Sequence, residues 1–300
     1  NFGGVGGNLL TIGGVNWLIS ADSSTAARAF IPVNPDGNTL ISQKDIKLTR
    51  ADNKSTTITN GFTYLGGQTH LWLDGDTPGA LWKGVNCDLV PVLNDPVLCW
   101  SYLPPFSQDT FSAVVGPSYT SYADINRKGL RFNGLDQFFT ATDFSINLQE
   151  YTYLVVAQAD ATQTSNLGGV ISTRPDAGEK GWESYFDKTD GKWKSITTNQ
   201  NDGYNSPVTT LGANVNGQRF ILSEAFKEDD ERVTSINGVE TRQNSNYEDP
   251  LLVNNVVRIG RGKDGYFKGD ILEVFIYDYK LPPAERAILL NYLKSKWAIQ

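Results

Sequence analysis

Methionine is absent from this 300-residue chain, and histidine occurs once, as His70. Standing alone, His70 cannot build a nucleophile–histidine hydrolase. The only cysteines are Cys87 and Cys99, too few with one histidine for a zinc-ligand set. They leave two readings open: one disulfide loop, or two buried thiols, since Cys99 lies in the apolar run PVLCW. No apolar run approaches ~20 residues, so neither a spanning helix nor membrane insertion is expected. Basic excess is also missing, with 26 Lys and Arg against 33 Asp and Glu and a net charge of -7. That balance argues against nucleic acid and anionic membranes as partners and leaves neutral glycans or protein surfaces. Neither GGVGG nor GRGKDG continues into the Lys and Ser/Thr of a phosphate-binding loop, so both read as turns. The opening residues lack the basic start and apolar core of a signal peptide. With no methionine even at position 1, the chain is expected to begin after a processed or omitted segment.

What is present is β-sheet grammar. Hydrophobic residues make up 39% of the chain and aromatic residues 11%, ample for a core. YTYLVVAQAD reads as a sandwich-interior strand, GWESYFDKTDGKWKSI as a hairpin across Thr189-Asp190-Gly191, and KGLRFNGLDQFFTA as two short strands around a turn. In Gly265–Asp278 strict alternation sets Leu272, Val274 and Ile276 on one face and Ile271, Glu273, Phe275 and Tyr277 on the other. Leu281-Pro282-Pro283 ends that strand and opens a helix, where Leu289, Leu290, Leu293 and Trp297 form an apolar stripe. No parallel βαβ rhythm is visible, so the expected fold is an all-β antiparallel sandwich with a C-terminal helix. Residues 1–60 differ: six glycines fall in the first fourteen positions, followed by short β segments. They are expected to form a glycine-rich N-terminal β arm or small assembly module ahead of a sandwich over residues 61–300.

The segments LWLDGD, GLRFNGLDQFFTA, YTYLVVAQAD, VVRIGRG, YFKGDILEVFIYD and LPPAERAILLNYLKSKW, in that order, resemble the laminin-G-like group of the concanavalin A-like jelly rolls found in phage virion and bacterial surface proteins. The resemblance covers about four fifths of the chain, from Phe62 to Gln300. Leu71 to Asp74 match the opening strand, Trp100 the next tryptophan segment, and Phe132-Asn133-Gly134 through Phe138 a strand pair. Gly269 to Ile271, with Glu273 and Tyr277, match the penultimate element; Glu285, Tyr292, Leu293 and Trp297 match the closing helix. After Trp100 the chain departs from the group, with SYLPPFSQDTF in place of a short glycine-asparagine loop.

Candidate sites follow from residue chemistry. Aromatic rings stack on sugars while amides and carboxylates bond hydroxyls, which makes Trp182, Tyr185, Trp193 and Tyr204 glycan-binding candidates, with Asn199, Asn201 and Asp202 beside them and the pair Tyr119 and Tyr122 in support. Trp72, Trp100, Phe132, Phe275, Leu293 and Trp297 read as structural core. No cofactor is expected; for calcium, which relatives of this fold sometimes carry near a sandwich rim, the turn DKTDGK offers Asp187 and Asp190 and GRGKDG offers Asp264 as oxygen ligands. A retaining glycosidase needs two carboxylates about 5 Å apart on one face. The Glu-x-Asp-x-Glu pattern that supplies them is absent, and Asp270 and Glu273, three apart in a strand, are expected on opposite faces.

These readings give a noncatalytic virion-associated structural or adhesion protein, a fibre, spike or capsid decoration, joined to virion or surface-assembly proteins through residues 1–60. A homo-oligomer such as a trimer, and a host glycan as external partner, fit the same layout. The alternatives are a free-standing carbohydrate-binding module or bacterial surface adhesin, extracellular or on the bacterial cell surface, and, as a minor case, a glycan-active jelly-roll enzyme.

Overall fold

A computed structural model describes side chains for residues 71–300, apart from 78–79, 85, 102–109, 142–148, 175, 177–180, 199–207, 214–216, 229 and 244–255; within residues 1–70 it describes backbone strands. The chain divides into two units, Asn1–Thr69 with Pro282–Tyr292, and His70–Leu281 with Leu293–Gln300. In the first, a four-stranded antiparallel sheet runs in the order Val15–Trp17, Leu9–Ile12, Ile41–Thr49, Ser55–Leu65, accompanied by the pair Ile19–Ala21 and Ala27–Ala29.

The second unit is an antiparallel β-sandwich. Among the described residues its nine-stranded sheet has the order Thr209–Ala213, Lys192–Thr198, Gly181–Asp187, Leu167–Ser172, Val257–Ile259, Phe139–Ala141, Thr110–Ser112, Cys99–Ser101, Leu81–Trp82. The eight-stranded sheet runs Ser118–Tyr122, Arg127–Asn133, Lys268–Tyr277, Glu150–Ala159, Phe220–Lys227, Glu231–Ile236, Val239–Asn244, with Thr69–Asp74 paired to Lys268–Tyr277 off this path. The period-2 geometry of a strand sorts Glu150–Ala159 into two faces: Tyr151, Tyr153, Val155, Ala157 and Ala159 enter the core between the sheets. Their alternates Thr152, Leu154, Val156 and Gln158 face away. Trp182 stacks on Tyr153 at 4.5 Å and on Tyr151 at 5.3 Å, and Phe226 on Tyr151 at 5.2 Å. Trp100, Phe132 and Phe139 fill the other end of the core.

Strict alternation fails in Lys268–Tyr277. Ala157 pairs with Ile271 and Val156 with Glu273, which leaves Leu272 as the extra residue of a β-bulge. Ile271 therefore shares the core face with Val274 and Ile276. The bulge also brings Asp270 and Glu273, opposite outward-facing Gln158 and Val156, onto one face, correcting the opposite-face expectation. Phe275 and Trp297 are fully buried on that outer face, where Phe275 stacks on the half-buried Trp72 at 5.4 Å.

The helix Pro283–Trp297 opens on proline, carries Glu285 in its first turn and Lys294 and Lys296 in its last, as the helix dipole favours. Leu289, Leu293 and Trp297 are its buried stripe; Leu290 is half-buried. Its end is a Schellman cap, with Ala298 at φ 51 and the Ile299 N–H donating to the Lys294 carbonyl at 3.0 Å. Cys87 and Cys99 form a disulfide with Cα atoms 5.6 Å apart, which decides between the two cysteine readings. No helix among the described residues is long and apolar enough to cross a membrane.

Candidate functional site

Strand pairing builds the site from residues far apart in sequence. Arg131 lies opposite Asp270, and Asp270 opposite Gln158, making one cross-strand row on the outward face of the eight-stranded sheet. Arg131 donates from Nε to Asp270 Oδ1 at 2.7 Å and from Nη2 to Oδ2 at 2.8 Å. This is the bidentate fork that suits a guanidinium to a carboxylate. The Asp270 side chain is 1% exposed and the Arg131 side chain 55%, so the carboxylate is the floor and the guanidinium the wall. Gly269 holds φ 149, and a Cβ there would stand 2.3 Å from the Gln158 carbonyl oxygen, so only glycine fits this close approach. The strand then exits through a turn in which Asp160 Oδ1 accepts from the Thr162 N–H and hydroxyl, both at 2.7 Å. Lys268 Nζ donates to the Thr162 hydroxyl at 2.5 Å.

These groups enclose a cleft of about 320 Å³ lined by Arg131, Gln158, Ala159, Asp160, Ala161, Thr162, Gly269 and Asp270. Gln158 Oε1 is buried and has no hydrogen-bond partner among the described residues. Beside the cleft, Arg219 Nη2 bonds both oxygens of Asp124 at 2.8 Å, and its guanidinium lies 5.3 Å from the Tyr122 ring centre. Burial, then the adjacent Asp270 carboxylate, pushes the Tyr122 phenol above its ordinary range. Burial would raise Asp160 too, but the Thr162 bonds and the charges of Lys268 and Arg131 hold it below the usual carboxylate value.

Residues 133–285 match the concanavalin A-like lectin/glucanases superfamily, just over half of the chain. The chain belongs to that superfamily. Three solved structures similar to this member share its fold. The Trypanosoma rangeli sialidase in complex with 2,3-difluorosialic acid is 11% identical, with a TM-score of 0.50 over 78% of this chain and 34% of that one. The botulinum neurotoxin serotype D ligand-binding domain in complex with N-acetylneuraminic acid is 11% identical, with a TM-score of 0.52 over 75% of this chain and 51% of that one. The receptor-binding domain of botulinum neurotoxin D is 12% identical, with a TM-score of 0.50 over 76% and 54%. The chain thus spans about a third of the sialidase and about half of each neurotoxin domain. No curated protein matches it.

A glucanase of this superfamily would need an open pair of carboxylates, one of them protonated. Glu224 is sealed between the sheets. It accepts from Tyr151 at 2.7 Å, Arg232 at 2.9 Å and Ser195 at 2.5 Å, and also from Thr197. Burial would raise its pKa, but Arg232 and these hydroxyls hold it below the ordinary value. Glu273 is closed over by the helix end, accepting from Trp72 Nε1 at 2.8 Å, Trp297 Nε1 at 2.6 Å and Lys296 Nζ at 2.9 Å. Lys296 also pairs with Asp74 at 2.7 Å. Burial, then Asp74 across the shared lysine, pushes Glu273 up to about 7. Of the carboxylates that do reach the cleft, Asp160 is held ionised and Asp270 is occupied by the Arg131 fork.

The residues read from sequence are dispersed through this superfamily member. Trp182 and Trp193 are fully buried, packing the sheets together. Tyr185 is 7% exposed on the outer face of the nine-stranded sheet, paired across strands with Lys194. Tyr119 joins the core while Tyr122, three residues on, faces outward by the cleft. Asn199, Asn201, Asp202 and Tyr204 lie outside the described residues. Lys194 Nζ sits 2.6 Å from Asp187 and 2.8 Å from Asp190, where a calcium ion bridging those two would have to be. Asp264 stands apart, close enough to Glu183 to act on its charge. Among the described residues no three His, Cys, Asp or Glu side chains group to hold a metal. Arg131, Gln158 and Asp160 escaped the sequence reading, and Asp270 entered it only as half of a carboxylate pair weighed for catalysis. Their only signal is a polar residue at an alternate position in GLRFN, VVAQAD and KGDIL.

Proposed function

We propose that this chain is a noncatalytic carbohydrate-binding β-sandwich that holds a saccharide in the cleft of Arg131, Gln158, Asp160 and Asp270. One observation carries the reading: within a lectin-type fold, a cleft of about 320 Å³ brings the half-exposed Arg131 guanidinium together with the Asp160 and Asp270 carboxylates. The superfamily match and the shared fold support the sugar-binding part, and the two solved relatives named above in complex with sialic acid species are in keeping with it. The engagement of Asp270 by Arg131, and of Asp160 by Thr162, is in keeping with the noncatalytic part. Display on a virion or bacterial surface, with residues 1–60 as the attachment element, is the wider setting in which such a module would act. Repeated copies would then convert weak single-site binding into avidity.

The test is a glycan array followed by calorimetry on wild type and Arg131→Ala. Arg131 is half-exposed but covers the buried Asp270 carboxylate, so a melting curve of the variant accompanies the calorimetry and binding is compared below its midpoint. The expected result is saccharide binding in wild type and at least a tenfold loss in the variant, matching about 1.5–3 kcal/mol for charge-assisted bonds. Binding unaffected by Arg131→Ala would move the site elsewhere. No binding to any glycan would overturn the function.

A further inference from the structure

At the helix end three charged side chains share one enclosed space. Lys296 Nζ lies 2.7 Å from Asp74 Oδ2 and 2.9 Å from Glu273 Oε2. The lysine side chain is 9% exposed, the aspartate 6% and the glutamate 0%. Two indoles wall them in: Trp72 and Trp297 donate to Glu273 from Nε1, and the Trp297 ring centre stands 5.1 Å from Lys296 Nζ. The Asp74 carboxyl is also fixed from its own turn. Its Oδ1 accepts the Asp76 N–H at 3.0 Å and its Oδ2 the Thr77 hydroxyl at 2.5 Å. The Gly75 N–H ties that turn to the Leu272 carbonyl, at the bulge, at 2.8 Å.

Two carboxylates and one ammonium do not balance in a closed space unless one carboxylate takes a proton. Burial, then Asp74, raises Glu273 to about 7, so near neutral pH a large share of the molecules hold it as the acid and the trio is neutral overall. A proton passing from Nζ to Oδ2 then turns the ion pair into an amine facing a carboxylic acid with no change in net charge. Burial penalises the ion pair and spares the neutral pair. Nζ is at most about 3.9 Å from Cγ, the 2.7 Å contact plus one C–O bond of ~1.2 Å. That is a short closure from the ~3–3.5 Å of a near-attack geometry.

We propose that Lys296 and Asp74 condense into an intramolecular amide, with Glu273 as the proton relay. The Nζ lone pair attacks Cγ, and the electron pair of the C–O double bond moves to Oδ1, where the Asp76 N–H receives the growing charge. Glu273 takes a second proton from Nζ and gives one to Oδ2. Oδ2 leaves as water, carrying one proton from the first transfer and one from the relay. Nζ keeps one hydrogen as the amide N–H, Glu273 ends as it began, and nothing is oxidised or reduced. The product removes two buried charges and ties the end of strand Thr69–Asp74 to the end of the helix Pro283–Trp297. It is independent of what the cleft binds.

The experiment is intact-mass spectrometry on the full-length chain, incubated at pH 7 and then reduced at its disulfide, for wild type, Lys296→Arg and Glu273→Gln. The expected wild-type mass is one water below the sequence value, and digestion should give a branched peptide joining Asp74 to Lys296. That peptide identifies the pair whether or not a variant folds. Lys296→Arg keeps a cation but no amine able to condense, and should sit at its sequence mass. Glu273→Gln, sampled at the same time, should remain mostly at its sequence mass. Wild type at its full sequence mass would overturn the proposal and leave the trio an ion cluster only. A water loss that persists in Lys296→Arg would place the dehydration elsewhere and overturn it equally. Conversion of Glu273→Gln to the wild-type extent would overturn the relay.

Discussion

Replacing Arg232 by methionine should be among the most damaging single changes available to the sandwich. Arg232 is 1% exposed by side chain and Glu224 is 0%. The guanidinium bonds Glu224 and Ser195 at 2.9 Å through Nη2, and Thr209 at 3.1 Å and Gln243 at 3.2 Å through Nη1. Methionine roughly keeps the volume but leaves a carboxylate between two sheets with hydroxyl donors and no cation. Stranding one member of a buried pair costs about 3–5 kcal/mol, a large part of the ~5–15 kcal/mol that holds a domain folded. With a urea slope of about 2–3 kcal/mol/M, the midpoint should drop by about 1–2.5 M. Tryptophan fluorescence reads the transition, since Trp182 and Trp193 lie in the core. Acid should narrow the deficit, because Glu224 without Arg232 recovers a neutral form at higher pH. In wild type the sign is opposite: the depressed Glu224 pKa contributes stability above the unfolded carboxylate value, lost as pH falls through the folded one. Adding Glu224→Gln to the methionine variant should return most of the lost stability at pH 7. A single-variant cost under about 1 kcal/mol, or no recovery in the double variant, would refute the stranded-charge argument.

Glu273 predicts the opposite pH trend. A carboxyl raised from 4.5 to about 7 contributes about 3 kcal/mol that is fully present below pH 4.5 and lost as pH rises through 7. Glu183, also raised by burial, acts in the same direction, so the diagnostic is the difference between wild type and Glu273→Gln in denaturation curves from pH 5 to 8; parallel slopes would dismiss the claim. Trp297→Ala removes a fully buried indole and its bond to Glu273 and should cost about 3–5 kcal/mol; a melting temperature within a degree of wild type would reject its packing role. Reducing Cys87–Cys99, twelve residues apart, should cost about 3 kcal/mol, and equal midpoints with and without reductant would exclude a stabilising staple.

The strands were legible because their signals are local. YTYLVVAQAD is apolar on both faces because it runs central in a covered sheet, and Asp190-Gly191 carries its turn chemistry in two letters, with Gly191 at φ 68. The bulge at Leu272 was not legible: period-2 reading assumes one residue per pleat, and nothing in DILEV marks the extra one. The cleft was hidden for a different reason. Arg131 meets Asp270 across 139 positions, and that pairing is a property of strand register. Aromatics misled in the opposite sense: Trp182 and Trp193 have the right chemistry to stack on sugars, yet their area is better used between the sheets, where burial is worth most. The disulfide likewise depended on a Cα separation that spacing alone cannot supply.

The bulge at Leu272 works as a phase joint. It divides one strand into two half-strands whose inside and outside are offset, the first presenting Asp270 to the cleft, the second presenting Glu273 to the helix end. Deleting a single residue there would force one half out of step, driving a carboxylate inward or a leucine outward. Length in this strand is therefore under tighter constraint than identity: descendants of this sequence can exchange many of its apolar letters, but gaining or losing one residue between Asp270 and Glu273 would cost them either the cleft or the closure of the sandwich.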